Sequence, residues 1–121
     1  MKYENTISEL FFQFPILKDV YENEGDYIKD LPHLCYEIVF APFIRQSVLK
    51  NDKCMTRAIC NYMECMASSN DNQVTELLAV SVLESLVSER AVISLLSPYI
   101  GEKTSNILNI MEKEYGWDIM S

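Results

Sequence analysis

His33, Cys35 and Glu37 lie within five positions of the stretch LPHLCYEIVFAPFIRQ, residues 31–46, and offer a base, a thiol and an acid. Nucleophilic catalysis by such a set requires the thiol and the base to stand within hydrogen-bond reach. On a helix advancing about 100° per residue, His33 and Cys35 point roughly 160° apart, and so do Cys35 and Glu37. His33 and Glu37 share a face at i and i+4, a spacing that supports the helix itself. The stretch therefore reads as a packed helix with incidental polar residues.

A metal centre is the next chemistry to weigh. Cys54, Cys60 and Cys65 follow one another at spacings of six and five, which puts Cys60 far around the helix from the other two. Structural zinc needs four convergent ligands. These three cysteines read instead as small apolar side chains. The chain has no Gly-rich phosphate loop and no nucleophile-elbow serine for its single histidine to serve, so a non-enzyme without metal or cofactor is expected.

The elements that would position these residues are helical. Thr6 stands three residues before Glu9, the spacing of a capping box. Leu10, Phe11, Phe14 and Leu17 then make one apolar stripe, with a kink or break at Pro15. The acidic run from Glu22 to Asp30, interrupted by Gly25, reads as a solvated loop. A second helical stretch starts at Leu31-Pro32, since proline suits a first turn, and runs to about Leu49 with a bend at Pro42. Asp52 opens a third, in which Met55, Ile59, Tyr62, Met63 and Met66 fall at helical spacing.

SNDN, residues 69–72, ends that helix and can cap the next. Residues 72–89 are apolar over most of the helix circumference, as a central bundle helix must be. A short helix ends near Pro98, and an amphipathic one comes after it, with Ile107, Leu108, Met111 and Tyr115 inward and Gly116 at its C-cap position. No stretch alternates with hairpin turns beside it. The expectation is all-α: one domain, residues 1–121, of about six helices, either an antiparallel bundle or a short HEAT-like stack of helix pairs.

Composition narrows the function classes. The chain has 121 residues, 49% of them hydrophobic, and a formal net charge of −8. A signal peptide and a membrane span both lack support, and a cytosolic protein with reduced thiols is expected. Nucleic acid and anionic membranes would be repelled, since binding them needs clustered Lys and Arg. A basic protein would be attracted. Residues 61–121 carry nine acids against three basic residues, whereas residues 1–60 carry nine against seven. In the second half, Glu64, Asp71, Glu76, Glu84 and Glu89 could form one negative surface spanning two neighbouring helices.

Four blocks carry a resemblance: FPILKDVYE at residues 14–22, LPHLCYEIVF at 31–40, LLAVSVLESL at 77–86 and LLSPYIGEKT at 95–104. Together they resemble a family of small all-helical bacterial proteins. In size and acidity the chain also resembles immunity proteins of contact-dependent and other polymorphic toxin systems. The resemblance implies a cytosolic inhibitor that occludes a toxin domain, often a basic nuclease. On that expectation the five acids would face Lys and Arg of the toxin's cleft, and Tyr62 and Trp117, as exposed aromatic residues, would be desolvated anchors. The rival expectation is a helical adaptor that takes a peptide in a groove lined by Met55, Met63 and Met66.

Overall fold

A computed structural model describes residues 1–115 and shows seven helices among them, with no strand. They are α1 (Thr6–Gln13), α2 (Ile16–Glu24), α3 (32–49), α4 (Lys53–Ala67), α5 (72–86), α6 (Arg90–Leu96) and α7 (Glu102–Tyr115). Short 3-10 turns at Tyr3–Asn5 and Asp26–Ile28 precede α1 and follow α2. One core, which includes Leu10 and Phe14 on α1, Phe40 and Ile44 on α3, Met63 on α4 and Leu78 on α5, runs through all of them. The expected all-α domain is therefore observed.

The chain's own chemistry sets the breaks. Pro15 has no N–H to continue α1, and the backbone leaves the helical region at Phe14 before α2 starts. Gly25, at φ +116, ends α2 in a conformation that other residues resist. Asp52 and Asp71 cap α4 and α5 by accepting N–H bonds from Met55 and Gln73. The expected capping box is absent: Thr6 is already inside α1, buried, and its hydroxyl donates to the Tyr3 carbonyl.

Pro42 does not simply bend α3. The turn before it, Tyr36–Phe40, is wound as a π-helix, in which the Ala41 N–H donates to the carbonyl of Tyr36, five residues back. A proline in a regular α-turn clashes with the carbonyl four residues earlier, and a wider turn relieves that clash. A second π segment, Leu78–Leu83, lies in the middle of α5 and packs against the first. There the Ser85 hydroxyl also bonds the Ser81 carbonyl, a contact that loosens a helical turn.

These two wide turns meet at the centre of the molecule. α3, α4 and α5 are mutual neighbours, α6 packs on the second half of α3, and α7 lies against both α4 and α5. A stack of helix pairs would limit contacts to successive repeats. Contacts that close back across the chain make this a bundle.

Candidate functional site

The five acids expected to form one surface separate into two groups. Glu64, on α4, aims its carboxylate at the first turn of α7 and accepts bonds from the Lys103 and Thr104 N–H groups, each 3.0 Å, and from the Thr104 hydroxyl at 2.9 Å. Burial pushes its pKa up, but those three bonds and the Lys103 charge outweigh it and hold the carboxyl below its ordinary range. Asp71 is bonded both to its own helix and to the Tyr3 N–H, 68 positions away. Glu89 takes two bonds from Nε of Arg45 on α3, at 2.9 and 2.7 Å. These three carboxylates hold the bundle together.

Glu76 and Glu84 form the second group. Both are exposed on α5, and Val80, midway between them, is exposed as well. The rest of that helix is clamped from several sides: Val74, Leu77, Leu78, Val82, Leu83 and Leu86 are all buried. An outward line of acid, valine and acid thus rides on a rigid central element.

The expectation for Tyr62 needs correction. It is 5% exposed and belongs to an aromatic cluster with Phe14 and Phe40, which it meets edge-on. Its hydroxyl lies 2.8 Å from that of Tyr36, whose own proton goes to the Thr6 carbonyl at 2.7 Å. Tyr62 therefore donates to Tyr36, and burial pushes both phenols up. Tyr62 stands on the stripe with Ile59, Met63 and Met66, and that stripe is the core face of α4. Trp117 lies outside the described residues.

His33, Cys35 and Glu37 go three separate ways. The His33 ring lies half-buried with Nδ1 2.7 Å from the hydroxyl of Ser81 on α5, tying the two π-bearing helices together. Ser81 is 4% exposed, so that hydroxyl does not face solvent. Cys35 is buried and its thiol is pushed up to about 12 by burial, while Glu37 points to water. Among the described residues no three His, Cys, Asp or Glu side chains converge on a point that could hold a metal ion. Of the four thiols only Cys35 and Cys60 pack as small apolar groups; Cys54 and Cys65 are exposed. Met63 and Met66 are 0% exposed, so the methionine-lined groove of the adaptor expectation is not formed.

Two surface features were not anticipated. One is an open cleft of about 620 Å³ lined by Glu9, Gln13, Asn61, Glu64 and Cys65 among others, between α1 and α4. The other is the outer face of α2. Ile16 is 65% and Val20 44% exposed, and Phe12, just before the Pro15 break, is 83% exposed. Ile16, Val20 and Glu24 stand at i, i+4 and i+8, so they share one side of α2, and Glu24 accepts a 2.6 Å bond from the hydroxyl of exposed Tyr27. Beside them a groove of about 470 Å³ runs to Phe43 on α3 and Met55 on α4. For Phe12 the signal was present in FFQF, residues 11–14: three phenylalanines in four positions cannot all fit one helical stripe.

A family model described as a domain of unknown function (DUF7674) matches residues 7–115. The chain belongs to that family. No curated protein and no solved structure matches it.

Proposed function

We propose that this DUF7674 protein is an immunity-type inhibitor, a cytosolic binding protein rather than an enzyme, that neutralises a basic toxin domain by covering its active cleft. A nuclease is the toxin class that fits best, because a cleft built for phosphates is lined with Lys and Arg. The observation that carries this reading is the exposed pair Glu76 and Glu84 on α5, held on a clamped helix in the half of the chain where acids outnumber bases by three to one. Charges placed so steer a basic partner into encounter faster than diffusion alone would orient it. No helix among the described residues is long and apolar enough to cross a membrane, which accords with a binding protein free to meet an incoming toxin.

The test is co-purification with an inactivated form of the protein encoded directly upstream, followed by association kinetics at low and high salt. A one-to-one complex with a basic domain that weakens as salt rises supports the reading. Glu76→Lys with Glu84→Lys should then slow association by roughly tenfold and flatten its salt dependence, while leaving the fold intact. Recovery of a housekeeping assembly in place of a toxin would overturn it.

A further inference from the structure

The charge of the second half is not all that the molecule offers a partner: a second surface is apolar. That surface is the outer face of α2, where Ile16 and Val20 stand clear of the core and border the groove that reaches Phe43 and Met55. Isolated exposed apolar residues are ordinary, but side chains on one helix face beside a concave groove mark an interaction site. The same face then becomes acidic. On that face Val20 is followed one turn later by Glu24, Lys50 and Asp52 also line the groove, and residues 16–30 as a whole carry five exposed acids against Lys18 and Lys29.

We infer that the α2 face is a docking site for an amphipathic helix of the partner, with large apolar side chains seated between Ile16, Val20, Phe43 and Met55 and with Lys or Arg at one end against Glu24 and the surplus of acids around it. The occupant is basic by complementarity: an apolar row that leads into a net negative cluster rejects an acidic helix and orients a basic one. Tyr27 adds a rigid aromatic edge beside the cluster, fixed by its bond to Glu24 and by its packing over Gly25. This inference rests on the inhibitor reading for the partner's positive charge, but it names a surface on the opposite half of the sequence from Glu76 and Glu84.

The experiment uses the full chain with a synthetic amphipathic helix of leucine and lysine as probe, and the same peptide with glutamate in place of lysine as control. Binding is measured by fluorescence anisotropy and mapped by amide chemical shifts. The expected result is binding of the lysine peptide only, with shifts centred on residues 16–30 and around Phe43 and Met55. Ile16→Ser with Val20→Ser should weaken it at least tenfold at unchanged melting temperature. Shifts centred on Glu76 and Glu84, equal binding of both peptides, or concentration-dependent self-association mapped to Ile16 and Val20 would each overturn the docking assignment. The two readings fail separately. A toxin complex that keeps full affinity in the Ile16→Ser/Val20→Ser variant removes this surface and spares the inhibitor, whereas peptide binding on α2 with no toxin complex does the reverse.

Discussion

The carboxylate of Glu64 occupies the space that any side chain at Gly101 would need. A Cβ built on Gly101 would collide with Glu64 Cδ, Oε1 and Cγ, its three nearest atoms. The reason is the cap: Glu64 crosses from α4 to the start of α7, and the chain entering α7 at Gly101 passes directly over it. A side chain on one helix and a missing side chain before another thus form a single joint.

Gly101→Ala should therefore destabilise the protein by displacing Glu64, and Glu64→Ala should do so by removing the cap, each by about 1 kcal/mol. Because both act on the same joint, the double variant should cost clearly less than the sum. Urea unfolding of the four proteins measures this. Strict additivity would show that the two residues act independently.

The same carboxylate sets a pH dependence. Its folded pKa lies below its unfolded one, so its contribution is full above the ordinary glutamate value of about 4.3 and is lost as pH falls through the folded value. Glu64→Gln should remove that part of the acid slope while lowering stability at neutral pH. Thermal melts across the acid range should show the two curves converging at low pH.

Tyr36 and Tyr62 should be unequal although they share one hydrogen bond. Tyr62→Phe loses a single bond and should cost about 1 kcal/mol. Tyr36→Phe also leaves the Thr6 carbonyl and the Tyr62 hydroxyl without their buried partner, and should cost about 2–3 kcal/mol. Equal losses in chemical denaturation would contradict this order.

Thiol chemistry should divide the cysteines two and two. Cys54 and Cys65 are exposed and should be alkylated by iodoacetamide in the native protein. Cys35 and Cys60 are buried, with thiols pushed up to about 12, and should react only on unfolding. Mass spectrometry would show two adducts in buffer and four in denaturant. Fast modification of Cys35 in the native state would contradict its placement in the core.

Most helix boundaries were legible because they are local; the end of α2 was not, since Glu22 to Glu24, read as loop, are helical. Pro15, Asp52, Asp71 and the Pro98 region stop or start helices through their own backbone chemistry, and the apolar stripes around Leu10, Ile59 and Leu78 mark buried faces. The fates of the acids were not legible, because each depends on a partner remote in the chain. Glu64 meets Thr104 across 40 positions, Glu89 meets Arg45 across 44 and Asp71 meets Tyr3 across 68. Tyr62 was expected to be exposed on the strength of the inhibitor resemblance, although its place on the stripe with Ile59 and Met63 already marked it as core. The apolar face of α2 was written in Ile16 and Val20, which stand off the side of Leu17, the buried residue of that helix, but it was masked by the stripe that Leu10, Phe14 and Leu17 supply to the core.

The π segment in α3 has a consequence for insertions and deletions. A regular helix keeps one register along its length, but the wide turn at Tyr36–Phe40 rotates the C-terminal half of α3 relative to its first turn. The residues before it face α1 and those after it face α4 and α6. Removing one residue from that turn and restoring ordinary winding would leave Ile44 and Val48 near their present angle, because a π turn takes about one residue more than an α turn for the same rotation, and the cost would fall on Pro42, whose ring would then meet the carbonyl four residues back. These five positions are thus a place where the bundle can give back one residue, and related chains that fold the same way without the proline should be able to drop a residue here and keep the phase of both halves of α3.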